Sequence, residues 1–132
     1  MSDQEMLIEE LLMLDGRERL EWLMERGAQL QPMPAHLRQV QHVIAGCIST
    51  TLYVARVDRD TLYIYGESNS RVMAGVIHTM QLFFSGLTPA EVLREGIRWP
   101  EAIGLYDLLT PQRRAAVEQI VTRTLRACEV VR

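Results

Sequence analysis

Apolar residues recur at helical spacing toward both ends of the chain and give way to β-branched and aromatic runs in the middle. Met6, Leu7, Leu11 and Leu14 fall on one face of a short helix over residues 5–14. A second helix follows at once. Asp15 with Glu18 three residues later is an Asp form of the capping box, Leu20, Leu23 and Met24 make the apolar face, and Gly27 marks the stop. Pro32 and Pro34 remove backbone donors, so residues 29–34 read as loop, with one further turn over 36–38. From Val40 the texture predicts three strands, Val40–Ala45, Ser49–Val57 and Thr61–Tyr65. Asp58, Arg59 and Asp60 join the last two as a hairpin. Gly46 and Cys47 separate the first two at a tight bend where Gly46 can take a positive φ.

The pattern then returns to helix. Ser68 or Asn69 caps a segment whose Val72, Met73, Val76, Ile77, Met80 and Phe84 recur at i, i+3 and i+4, ending near Gly86; it is the most apolar helix and reads as central. Thr88, Pro89 and Glu91 form a capping box with proline at N1, opening a short helix to about Arg94. Arg98, Trp99 and Pro100 read as loop, Glu101–Tyr106 as a turn or two, and Thr110 with Pro111 opens a last helix carrying Val117, Ile120, Val121, Thr124, Leu125 and Cys128 on one face. Helices, a three-stranded antiparallel meander and more helices make an α+β fold.

A chain of 132 residues with 48% apolar and 23% charged side chains predicts one globular domain over residues 1–132. Its longest apolar stretches are far shorter than a membrane span needs, and the first ten residues hold acids where a signal peptide would be positive, which points to the cytoplasm. A net charge of −3 offers no field for nucleic acid. All 14 basic residues are arginine, which excludes Schiff-base and P-loop lysine chemistry. Two cysteines and three scattered histidines, His36, His42 and His78, are too few for a closed zinc or cluster site, so neither metal nor organic cofactor is expected.

Chemistry concentrates on Cys47. A thiol beside glycine at a bend between strands is free to be approached, whereas the competing reading is a small buried hydrophobe. Cys128, on the apolar stripe of the last helix, reads as core. His42, five residues before Cys47, is either a base or orienting donor for the thiol or a solvated or core-satisfied histidine. The acids of the first two helices (Glu9, Glu10, Glu18, Glu21, Glu25) are a solvated face or a docking surface.

Residues 44–53, IAGCISTTLY, resemble the signature of the SufE family of sulfur acceptors, a Gly-Cys-x-Ser motif matched by Gly46, Cys47 and Ser49. In order along the chain, RERLEWLMERGAQLQPMP, GESNSRVMAG, LTPAEV, the region of Arg98 and LTPQRRAAV are similar to further family segments, over about residues 5–128. Cys47, Gly66, Ser68, Gly75, Glu101 and Arg113 match the family pattern. It departs at His42 for asparagine, Thr51-Leu52 for Val-Trp, Asn69 for aspartate, Leu108 for histidine and Ala116 for glycine. The resemblance implies a SufE-like fold, similar to that of iron–sulfur scaffold proteins. It implies that Cys47 takes persulfide sulfur from a pyridoxal-phosphate cysteine desulfurase and passes it to an iron–sulfur scaffold or another acceptor. The chain is then a transpersulfidation partner more than a stand-alone enzyme, with a homodimer compatible. Gly46, Ser49, His42, Asn69, Glu101 and Arg113 are its supporting or partner-binding residues. Arg113 either activates the thiolate, shapes the docking surface or pairs with Glu101 or Asp107. A non-catalytic desulfurase adaptor and a cysteine hydrolase are the alternatives.

Overall fold

The computed structural model describes residues 2–46 and 49–130. Among these, α1 (Asp3–Leu12) and α2 (Gly16–Gly27) lead through two single 3-10 turns, Ala35–Leu37 and Val40–His42, to a hairpin of β1 (Thr51–Asp58) and β2 (Thr61–Ser68). Helices α3 (Arg71–Phe84), α4 (Pro89–Glu95), α5 (Trp99–Ala102), α6 (Leu105–Leu108) and α7 (Pro111–Glu129) complete the order, an α+β arrangement.

The helix starts are set by side chains that accept orphan backbone N–H groups. Asp15 Oδ1 accepts from the Glu18 N–H at 2.9 Å while Glu18 Oε1 accepts from the Asp15 N–H at 3.1 Å, the reciprocal box expected there. Thr88 and Glu91 repeat it on α4, and Thr110 Oγ1 accepts from the Arg113 N–H on α7. The cap of α3 is Ser70, neither Ser68 nor Asn69, because β2 runs on to Ser68 and both earlier side chains are engaged elsewhere. Trp99 opens α5 and is fully buried, its indole N–H directed to Met80 Sδ at 3.4 Å, where a loop was expected.

The sheet has two strands among the described residues, not three. Val40–His42 coils into a 3-10 turn because local bonds take its donors: the His42 N–H goes to the Gln39 carbonyl, the Val43 N–H to that of Val40, and His42 Nδ1 lies 2.7 Å from the Leu37 carbonyl. Only Val43 reaches β1, through one antiparallel bridge to Leu52. The hairpin itself forms as expected, with positive φ at Arg59 (51°) and Asp60 (61°), as a type I′ turn requires.

Alternation along the strands separates two faces. Tyr53, Ala55 and Val57 lie across from Gly66, Ile64 and Leu62 and join the main core with α3 and α7. Leu52 and Val54 face outward against Met33 and Leu37 in a second, smaller core. Every expected apolar position of α3 is buried. Helices α2 and α3 touch backbone to backbone: a Cβ on Gly75 would overlap the Leu23 carbonyl, and one on Gly27 the Arg71 carbonyl. Gly27 therefore serves close packing inside α2, whose C-cap is Ala28. Gln4, buried on α1, spends its amide on the α4–α5 connection, donating to Glu95 Oε1 and the Gly96 carbonyl and accepting from the Arg98 and Trp99 N–H groups.

Gly75→Ala is expected to cost about 2–3 kcal/mol by overpacking this contact. The melting temperature should fall by roughly 10 °C in a circular dichroism melt; an unchanged melt would mean that the helices do not meet there.

Candidate functional site

The sequence directs attention to the bend between Ile44 and Thr51. Cys47 lies outside the described residues, but both stems of its loop are defined. On the incoming stem, the Ile44 N–H donates to the Thr51 carbonyl at 2.9 Å, closing the loop at its base. The carbonyls of Val43 and Ala45 have no backbone partner among the described residues, and α7 supplies donors to them and to the His42 carbonyl, which lies at the bridge to β1. Arg123 gives one guanidinium N–H to His42 at 3.3 Å and another to Val43 at 3.0 Å, and the Gln119 amide donates to Ala45 at 2.8 Å. Gly46 follows with φ of +78°, exposed and with open space where a Cβ would stand.

On the outgoing stem Asn69 makes a two-way link. Its Oδ1 accepts from the Thr50 N–H at 3.1 Å, and its own N–H donates to the Thr50 carbonyl at 3.2 Å. Beneath it the Thr51 and Ser68 hydroxyls meet at 2.8 Å, and Ser68 Oγ also accepts from the Ser70 N–H. The cap-like chemistry of Ser68 and Asn69, read from sequence as helix capping, is thus spent on the loop. Ser49 is half-buried at the bend.

Below the stems α7 is anchored to β1 from inside. The buried Tyr53 hydroxyl lies 2.7 Å from Thr124 Oγ1, and that hydroxyl donates to the Ile120 carbonyl, so Tyr53 is the donor. Burial pushes the Tyr53 phenol well above its ordinary range, which keeps it protonated and donating. Cys128 is buried one turn further along α7, as its place on the apolar stripe predicts.

His42 donates to the Leu37 carbonyl through Nδ1, at 2.7 Å, which turns its ring toward residue 37. The loop stems thus gather His42, Gly46, Ser49 and Asn69. Glu101 and Arg113 stand elsewhere. Glu101 lines a cavity of about 530 Å³ with Gly104, Tyr106, Asp107, Arg114 and Glu118, none of them a stem residue. Arg113, in the first turn of α7, is six residues from Gln119, about 9 Å along the helix axis. No ion pair joins it to Glu101 or Asp107 among the described residues. Among the same residues, no group of three or more His, Cys, Asp or Glu side chains is placed to hold a metal ion, and no helix is long and apolar enough to cross a membrane.

A solution structure of a hypothetical protein from Thermus thermophilus superposes with a TM-score of 0.75 over 95% of this chain and 92% of that one, at 18% identity, which gives the fold alone. A family model, SufE: Fe-S metabolism associated domain, matches residues 5–128. The chain belongs to the SufE family. An uncharacterized SufE-like protein of Synechocystis sp. is 28% identical over 99 residues, 75% of this chain and 62% of that protein, so this SufE chain spans less than two thirds of that relative's length. The matched SufE region takes in both loop stems and nearly all of α7, and it carries the association with Fe–S metabolism.

Sequence reading missed Gln119 and Arg123. The available signal was their i, i+4 spacing beside the inward positions Ile120 and Thr124, but such polar residues on a long helix ordinarily read as a solvated face. For this SufE domain, Asn69→Ala removes one exposed backbone contact and should lower stability by about 1 kcal/mol. Hydrogen exchange at the Thr50 amide should quicken well beyond the global change; exchange that tracks global stability alone would show that Asn69 does not hold the stem.

Proposed function

We propose that this SufE protein accepts sulfur on Cys47 from the persulfide of a pyridoxal-phosphate cysteine desulfurase and passes it on for iron–sulfur cluster assembly. The observation that carries this reading is the SufE match over residues 5–128, which includes the motif Gly46, Cys47 and Ser49. The Cys47 thiolate attacks the outer sulfur of the donor persulfide. One S–S bond forms on Cys47 as the donor's breaks, the desulfurase cysteine leaves as a thiolate, and no external oxidant or reductant is consumed. One thiol suffices for this exchange. Delivery to the acceptor repeats it with Cys47 as the leaving thiolate.

The geometry of the stems supports that chemistry. A loop that must enter another protein's active site has to protrude without wandering, and the bonds from Gln119, Arg123 and Asn69 fix both of its roots. Arg123 also sets a permanent cation into the incoming stem, bonded to the His42 and Val43 carbonyls. Glu101 and Arg113, away from the stems, belong in this reading to docking on the partner and not to the exchange itself. The protein brings no cofactor of its own; the pyridoxal phosphate is the donor's, and the site of action is the cytoplasm.

After incubation with a cysteine desulfurase and isotopically labelled cysteine, peptide mapping under non-reducing conditions should find the label on the peptide holding Cys47, and Cys47→Ser should carry none while melting like the wild type. Label chiefly on Cys128, or a Cys47→Ser chain that still takes up sulfur, would overturn the assignment. Stimulation of the desulfurase without any label on the chain would make it an adaptor instead.

A further inference from the structure

The outer edge of β1 is an unfilled strand position. The Thr51 carbonyl accepts from Ile44 on the side away from β2. Because peptide groups alternate sides along a strand, those of Tyr53, Ala55 and Val57 also point away from β2, whereas those of Leu52, Val54 and Arg56 point toward it. Val43 uses this edge only at its start, and the 3-10 turn at Val40–His42 then carries the chain off. Among the described residues no hydrogen bond reaches the N–H or C=O of Ala55 or Val57.

Beside this edge, between β1 and the C-terminal half of α7, runs a groove of about 490 Å³, lined by residues 53–56 together with Gln41, His42, Arg123 and Arg126. That volume lies in the range of roughly 300–1,000 Å³ typical of ligand sites. Three of its lining residues are arginine and none is acidic. Arg56 belongs to the outer face of the sheet, and Arg123 and Arg126 come from α7, which packs on the inner face, so a strand laid along the edge meets cations on both of its sides. None of the three is in an ion pair among the described residues.

We infer that the β1 edge is a docking site for an extended, acidic segment of a partner protein, which adds as a third strand against Ala55 and Val57 and sets its carboxylates toward Arg56, Arg123 and Arg126. Main-chain bonds supply the affinity in this mode, and the flanking charge selects the segment. The choice of occupant rests on that charge, because a bare edge alone would accept any strand and a basic one would be repelled here. The site shares His42 and Arg123 with the incoming stem of the Cys47 loop but does not depend on the sulfur chemistry, and it stands if Cys47 carries no persulfide.

The probe is a short capped peptide of valine and glutamate with a fluorescent label, compared with its valine–lysine counterpart and with a glutamate version N-methylated at alternate residues. By fluorescence polarisation the glutamate peptide should bind the native chain at least about tenfold more tightly than either of the others. It should slow amide exchange at Ala55 and Val57, and the double variant Arg56→Glu/Arg126→Glu should lose that binding. Absence of binding overturns the inference, as does equal binding of the lysine peptide. Equal binding of the N-methylated peptide, or binding without protection at Ala55 and Val57, would mean charge adhesion without strand addition.

Discussion

Backbone carbonyls that leave a sheet early have to find donors elsewhere, and in this chain that requirement organises the loop region. Residues 42–44 meet β1 at a single bridge, and beyond it the carbonyls of Val43 and Ala45 find no backbone partner among the described residues. Arg123 and Gln119 donate to these two and to the His42 carbonyl from a helix that arrives from the far end of the sequence. Bonds of this kind, two of them from a charged donor, contribute on the order of 1–3 kcal/mol each. They turn an irregular segment into a fixed support for Gly46 at the head of the loop.

That support is only as firm as the seating of α7. The helix is held against the sheet by apolar burial at Val117, Ile120 and Cys128 and by the Tyr53–Thr124 hydrogen bond beneath the loop. The sheet, in turn, is backed by α3, whose contact with α2 is so close that only glycine fits at position 75. Asn69 and Ser68, at the junction of β2 and α3, complete the chain of supports by tying the outgoing stem to the same core. The Cys47 loop is thus rooted in two elements far apart in sequence, α7 and the β2–α3 junction, which share one core.

Most of the fold was legible because its signals are local. Capping boxes at Asp15 and Thr88, the apolar period of α3 and the hairpin at Arg59–Asp60 each depend on residues within a few positions of one another, and each formed. The third strand failed for a reason composition does not carry: valines at 40 and 43 favour a strand, but hydrogen bonds inside residues 36–42 coil the segment before a ladder can extend. At the site, the family motif pointed to the loop, and His42, Gly46, Ser49 and Asn69 do converge on it. Gln119 and Arg123 stayed hidden because their partners are carbonyls 74 to 81 residues away, and a carbonyl leaves no mark in the sequence. Glu101 and Arg113, carried over by resemblance, sit apart from the stems, Glu101 on the cavity with Tyr106 and Arg114 and Arg113 in the first turn of α7.

If Cys47 accepts sulfur as proposed, that acceptance depends on the α7 bonds that hold the incoming stem of its loop. The direct measurement is the single-turnover rate of sulfur transfer from a persulfidated cysteine desulfurase to the double variant Gln119→Ala/Arg123→Ala, with far-UV circular dichroism as the check on folding. The spectrum should stay native while the rate falls by about tenfold or more, since the loop loses the bonds that fix its incoming stem. A folded double variant that accepts sulfur at the wild-type rate would contradict the claim.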